Sequence, residues 1–264
     1  MSGGAAAAII VTAVLCFSVQ VYSEQSNGKV YSVIEALFML DRDLMTGNSD
    51  FFPPVIINKA LSGYSAMALP VTASFPFVLS FIAERNSGNM LYVISRINRR
   101  KYYYSKFIAA ISSGGLCTMM GVILFGISVY ILFPNVNSPD MQNSVAEILV
   151  KKAFSSFVYG MASVLPAFFL CSFCKDPYII MCFPFMLRFI AETIIAEIQT
   201  NALAVGNFGV YELAATFYPE AVSRIFYMRA DRMFWGIIAV NVIFFAAILA
   251  GFVIIMENRL DRGR

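Results

Sequence analysis

Long apolar runs, each close to the length needed to cross a bilayer, constrain this chain more than any other feature. At a rise of 1.5 Å per residue, about 20 apolar residues cross a hydrocarbon core about 30 Å thick. Within that core, a single segment satisfies its own backbone hydrogen bonds only as a helix. The sequence therefore predicts an all-α integral membrane protein with about six transmembrane helices, at residues 5–22, 67–83, 107–133, 153–174, 177–196 and 234–256.

The composition excludes a water-soluble fold. Hydrophobic residues make up 59% of the 264 residues and charged residues 13%, whereas soluble domains carry roughly 25% charged residues. The predicted spans and their loops use the whole length, so no second, soluble domain fits. We therefore expect a single transmembrane domain over residues 1–264.

The chain lacks the residues that usually carry catalysis or hold a cofactor. It contains no histidine, no G-x-x-x-x-G-K-[ST] phosphate loop and no G-x-S-x-G nucleophile motif. Cys171 and Cys174 have metal-ligand spacing, but no second pair accompanies them and all five cysteines lie in apolar runs. A net charge of +3 gives no support for nucleic-acid binding. We expect no catalytic residue, no metal and no cofactor in this chain.

The first apolar run has two interpretations, a cleaved signal peptide or a retained span. A signal peptide begins with a positively charged region, but no Lys or Arg precedes residue 5. The remaining spans also pair naturally only if this one is kept. We therefore expect it to remain part of the protein.

The orientation follows from Lys and Arg, which are enriched in cytoplasmic loops near the span ends. Residues 84–106, between the second and third predicted spans, include six basic residues, and the tail after residue 256 adds three. This bias predicts that both termini lie in the cytoplasm, and we expect a multi-pass protein of the plasma membrane. The loops at about 23–65 and 197–233 then lie on the outer side.

Two outer segments are expected to be helical. The first carries apolar residues at helical spacing and predicts a short amphipathic helix on the membrane face or over the bundle; these residues are Val30, Val33, Ile34, Leu37 and Phe38. The second, residues 202–233, is too polar to span but rich in Phe, Tyr and Ala. For it we expect a re-entrant or interfacial helical pair.

The basic loop at 84–106 contains a further predicted amphipathic helix. Its apolar face is formed by Met90, Leu91, Ile94 and Ile97. Its charge comes from Arg96, Arg99 and Arg100. Such a helix can dock on a partner protein, or it can hold the loop against anionic membrane lipid. The residues alone favour these two interpretations equally.

The same loop resembles a family pattern. An acidic residue ends the second span, a glycine follows, and after a short helix come Ser-Arg, a Tyr-rich turn and Ser-Lys; the residues are Glu84, Gly88, Ser95, Arg96, Tyr104, Ser105 and Lys106. This pattern is similar to that of the permease subunits of ABC-2 type ABC transporters. The resemblance covers residues 84–106 and is reinforced by the layout of six spans with a long first outer loop. Family members usually carry residues before the first span, whereas here only Met1 to Gly4 precede it.

The resemblance implies a division of labour between chains. The protein would be the permease of an ATP-driven exporter, working with a second permease, identical or paralogous, and with separate ABC ATPase subunits that bind ATP and Mg²⁺. Its cargo would be an amphipathic peptide, a drug or a lipid-like compound. The coupling helix that meets the ATPase would comprise Glu84, Arg85, Gly88, Met90, Leu91, Ile94 and Arg96.

A second group of candidate residues lies within the fifth predicted span. Arg188 and Glu192 are four residues apart, on one face of the helix. They either pair with each other and stabilise helix packing, or line a polar translocation path or dimer seam. An ion-gradient-driven transporter or channel subunit, and a non-transporting assembly or sensor protein, remain alternative functions, although no inverted repeat typical of the former is found.

Overall fold

The computed structural model confirms an all-α membrane architecture with a small β-hairpin near the start of the chain. It describes residues 2–23, 29–41, 45–46, 49–133, 145–174, 176–217, 221–222, 226 and 232–262. In chain order the elements are α1 (Ser2–Cys16), β1 (Gln20–Ser23), β2 (Lys29–Ser32), α2 (Val33–Met39), a 3-10 turn (Ser49–Phe51), α3 (Pro53–Lys59), α4 (Tyr64–Asn86), α5 (Asn89–Arg96), α6 (Arg99–Leu132), α7 (Val145–Leu170), α8 (Pro177–Val205), α9 (Phe208–Phe217) and α10 (Arg232–Arg262).

Five helices in the described part of the chain are long and apolar enough to cross a membrane: α4, α6, α7, α8 and α10. They correspond to five of the six predicted spans. The sixth, α1, has 15 residues and is about 22 Å long, which is shorter than a hydrocarbon core of about 30 Å. It nevertheless packs against α4 and α6 along one face, while Ile10 and Val14 on another face are exposed.

The prediction that the first span continues to residue 22 is wrong. The helix ends at Cys16, and residues 20–23 pair antiparallel with residues 29–32, with Gln20 opposite Ser32. The physical reason is local alternation: Val19 and Val21 are buried while the Gln20 side chain between them is exposed. Alternation of buried and exposed side chains with a period of two, at positions that include β-branched valines, favours a strand over a helix.

The predicted amphipathic helix after the hairpin is present but begins later than expected. Ser32 and Glu35 form a capping box, in which the Glu35 N–H donates to Ser32 Oγ at 3.1 Å and the Ser32 N–H donates to Glu35 Oε2 at 2.8 Å. This cap starts α2 at Val33 and leaves Val30 in β2. The backbone N–H of Ser32 also lowers the pKa of the Glu35 carboxyl.

The helical pair expected over 202–233 is partly as predicted. Residues up to Val205 continue α8, and Gly206, with φ +73°, ends it; there the Asn207 N–H donates to the Ala202 carbonyl at 2.9 Å. Only glycine adopts this left-handed backbone without strain. Then α9 packs against α8 and α10, and most of 218–231 lies outside the described residues.

Helices α6 and α7 approach each other closely at glycine residues. A Cβ added at Gly160 would lie 2.0 Å from Thr118 Oγ1, and one at Gly114 would lie 2.2 Å from Val164 Cγ2. Thr118 Oγ1 in turn donates across the interface to the Ser156 carbonyl at 2.9 Å. Small residues of this kind let membrane helices approach closely and exchange hydrogen bonds.

Two apolar clusters divide the bundle along its length. One joins α1, the hairpin, α2 and α3 to α6 through residues such as Val33, Ile57 and Phe125, and marks what we term the hairpin end. The other joins α4, α5, α6, α7 and α10 through Phe81, Phe168 and others, and marks the α5 end. In the apolar stretches of α8 and α10 only 22% and 17% of the residues are buried, against 44–50% in those of α4, α6 and α7. They therefore lie at the periphery.

Candidate functional site

The α5 helix is held at one end of the bundle by a tight turn and an apolar inner face. Gly88 has φ +75° and precedes the helix, so the chain turns directly after α4. Met90 and Ile94 are buried in the apolar cluster at this end. The helix therefore lies against the bundle and does not project from it.

The outer face of α5 is aromatic and basic. Tyr92 is 60% exposed, and the Arg96 guanidinium carbon lies 4.2 Å from the centroid of its ring. This is the geometry of a cation–π contact. Ser95 and Ile97 are exposed beside them, and we call these four residues, 92 and 95–97, the α5 outer surface.

Glu84 joins α4 to α6. Its carboxylate accepts hydrogen bonds from the Tyr102 hydroxyl at 2.9 Å and from Lys106 Nζ at 2.5 Å. The Glu84 side chain is 21% exposed and that of Lys106 26%, so solvent screens this ion pair only in part.

Arg85 joins α4 to α7. Its Nη1 atom donates to the carbonyl oxygens of Cys171 and, at 3.1 Å, of Cys174. These carbonyls lie just beyond Leu170, where α7 ends. Carbonyls at a helix C-terminus lack intrahelical donors and carry partial negative charge, which a guanidinium satisfies well.

A third contact at the same end connects α6 with α10. Arg100 Nε donates to Glu257 Oε1 at 2.8 Å. Together with the bonds of Glu84 and Arg85, it joins α4, α6, α7 and α10 around the turn that carries α5. We call these three contacts the basal ties.

The structure separates the predicted coupling residues into different roles. Glu84 and Arg85 bond to other helices, Gly88 forms the turn, and Met90 and Ile94 face the bundle. Arg96 is exposed, and the Leu91 side chain lies outside the described residues.

Sequence reasoning missed Tyr92 and misplaced Ile97. Ile97 was expected on the apolar face, but α5 ends at Arg96 and Ile97 is extended and half exposed. Tyr92 could have been found from its spacing, because it lies four residues before Arg96 and therefore on the same helix face.

The intramembrane pair faces the interior of the bundle. Arg188 Nε and Glu192 Oε1 are 2.5 Å apart, and the two residues are 7% and 5% exposed. The Arg188 guanidinium carbon lies 5.3 Å from the centroid of the Tyr159 ring in α7. The pair thus contacts protein on one side of a helix whose other faces are largely exposed.

A buried lysine at the hairpin end was not anticipated. Lys152 is 2% exposed, and its Nζ donates to the Asn58 carbonyl at 2.7 Å. That carbonyl belongs to the last turn of α3, where the helix dipole favours a cation. Its position four residues after buried Ile148 and seven before buried Tyr159 was the available signal.

No group of three or more His, Cys, Asp or Glu residues that could hold a metal ion occurs within the residues that the structure describes. The chain matches no family model, and comparisons with curated proteins and with solved structures found no match.

Proposed function

We propose that this chain is the membrane-spanning permease subunit of an ATP-driven exporter, and that a separate ATPase subunit docks on α5. The observation that carries the proposal is the α5 outer surface, where exposed Tyr92 and Arg96 stack above a buried inner face. Aromatic and arginine side chains are the residues that most often anchor protein interfaces.

The attachment of α5 supports a role in transmitting force. Because the basal ties join the neighbouring ends of α4, α6, α7 and α10, a push on α5 moves these ends together instead of bending a loop. In the proposed cycle, closure of the ATPases displaces α5, and the displacement tilts α4 and α6.

The remaining parts of the proposal concern sides and partners. The α5 end, with its basic residues, faces the cytoplasm of the cell that carries the protein in its plasma membrane. ATP and Mg²⁺ bind the ATPase partner, and the cargo is an amphipathic peptide, drug or lipid-like compound. The weakly buried helices α8 and α10 face lipid and a second permease, either identical or paralogous.

Capture of the ATPase from detergent tests the docking surface. The candidate is an ATPase with a phosphate-binding loop encoded by a neighbouring reading frame, co-expressed with the permease. Replacing both Tyr92→Ala and Arg96→Glu is expected to lower capture about tenfold or more, the loss typical of interface anchors.

The matched control reverses a surface cation at the opposite end of the bundle. Lys151→Glu changes a side chain that is 37% exposed in α7 and is expected to leave capture unchanged. If the Tyr92 and Arg96 double variant captures the ATPase fully and transports normally, α5 is not the docking helix.

A further inference from the structure

Pro70 interrupts the hydrogen-bond ladder in the first part of α4. In an α-helix the N–H of each residue donates to the carbonyl four residues earlier, but proline has no N–H. Pro70 lies inside α4, so the carbonyl of Ala66 loses its intrahelical donor. Ala66 is buried, and a buried carbonyl without a donor is costly in a membrane.

A tyrosine from another helix replaces the missing donor. The hydroxyl of Tyr159, in α7, donates to the Ala66 carbonyl at 2.7 Å, and Tyr159 is itself fully buried. The contact joins residues 93 positions apart. It therefore fixes the first turn of α4 to the middle of α7 at the turn where Pro70 removes a helical hydrogen bond.

The intramembrane ion pair backs this tyrosine. Arg188 lies 5.3 Å from the centroid of the Tyr159 ring and is bonded to Glu192. A cation at this distance from a ring is attracted to its face. Three helices, α4, α7 and α8, thus meet through one continuous set of contacts.

We propose that Tyr159 is a positioning residue for α4: it holds the segment before Pro70 against α7, and Arg188 with Glu192 keeps its ring in place. The far end of α4 carries Glu84, Arg85 and the turn into α5. The direction of α4 therefore sets the position of α5. This consequence for transport rests on the proposed function, whereas the bond itself does not.

A double-mutant cycle tests the bond without any reference to transport. Tyr159→Phe is expected to raise the unfolding equilibrium constant about fivefold, the value of about 1 kcal/mol typical of one hydrogen bond. In Pro70→Ala the new N–H of residue 70 satisfies the Ala66 carbonyl. In that background Tyr159→Phe should have little further effect.

The chain offers a matched control for loss of a buried hydroxyl. Tyr103 is fully buried, and its hydroxyl has no hydrogen-bond partner among the described residues. Tyr103→Phe should therefore leave the unfolding equilibrium nearly unchanged. An equal loss in Tyr103→Phe, or the same loss from Tyr159→Phe in both backgrounds at residue 70, would overturn the proposal.

Two further measurements cover the other outcomes. If Tyr159→Phe alone yields no folded protein, adding Pro70→Ala should restore folded yield, and failure to restore it counts against the proposal. With the ATPase present, Tyr159→Phe should keep ATPase capture but transport less cargo per ATP hydrolysed. Unchanged transport would reject the positioning role. Absence of any ATPase partner would reject the proposed function, but the double-mutant cycle would still test the hydrogen bond.

Discussion

The bond between Glu84 and Lys106 offers a quantitative test of the basal ties. In the native protein the Tyr102 hydroxyl donates to a Glu84 carboxylate oxygen at 2.9 Å. In Glu84→Gln the amide oxygen can still accept this hydrogen bond. The charge that faces Lys106 Nζ at 2.5 Å is lost. A hydrogen bond to a charged group contributes about 1.5–3 kcal/mol, and an exposed ion pair about 0–1 kcal/mol.

The exposures of the two side chains, 21% and 26%, place the pair between these limits. We therefore expect Glu84→Gln to lower the free energy of unfolding by about 1–2 kcal/mol. For a chain of this size that corresponds to a fall in Tm of about 2–8 °C. Thermal unfolding in a single mild detergent, followed by the fluorescence of the native tryptophan, measures the shift.

A second variant makes the test specific to the pair. Lys106→Met removes the other partner, and the double variant should be no less stable than the worse single variant. If the two losses simply add, the residues do not interact in the native protein. In the proposed exporter, Glu84→Gln should also retain ATPase capture through the α5 outer surface and lose part of its transport.

Three other predictions concern packing, the hairpin end and acid stability. Gly160→Ala should destabilise by about 1–3 kcal/mol, because its Cβ would lie 2.0 Å from Thr118 Oγ1. Gly209→Ala should not destabilise in the same thermal assay, because its Cβ would lie 3.6 Å from Asn207 Oδ1, an ordinary van der Waals distance. Phe38 is 86% exposed in α2, so we expect it to contact lipid if α2 lies on the membrane face. A Phe38→Trp variant, made in a Trp235→Phe background so that it carries a single tryptophan, should show fluorescence that brominated lipids quench. Unquenched emission would place α2 in water. The pKa of the Glu35 carboxyl is lowered in the folded protein. The stability that the capping box contributes is therefore fully present above the ordinary carboxyl pKa of about 4.3. It is lost as the pH falls through the lower pKa of Glu35 in the folded state. The same tryptophan should therefore report loosening of α2 under acid conditions, and Glu35→Gln should remove that pH dependence.

The spans could be predicted from the sequence because they depend on a property of single segments. An apolar run of sufficient length must be helical in a bilayer whatever its neighbours do. The same is true of α5, whose buried Met90 and Ile94 repeat at helical spacing. In both cases the information is local.

The end of α1 was missed for a related reason. Hydropathy does not distinguish a helix from a buried strand, and residues 17–22 are apolar enough to continue the run. The strand is stabilised by pairing with residues 29–32. Those residues lie beyond the apolar run, so the hydropathy of the run contains no information about the pairing.

The roles of the charged residues could not be predicted, because their partners lie far away in the sequence. Glu84 and Arg85 follow a span and precede a basic loop, a position typical of partner contacts. In the structure their bonds cross to α6 and α7. Pro70 was recognisable as an interruption of a span, but nothing in the sequence indicates that Tyr159 supplies the missing donor.

The basal ties also impose an order on how the chain assembles during synthesis. The partner of Glu84 lies 22 residues later, the acceptors of Arg85 lie 86 and 89 residues later, and the partner of Arg100 lies 157 residues later. A nascent chain that has released α4 and α6 can therefore make the first tie, but it must wait for α7 to make the second. The third forms only after α10 has left the ribosome. Until Glu257 is available, the contact between α6 and α10 cannot form, so a chain truncated before α10 lacks the third tie.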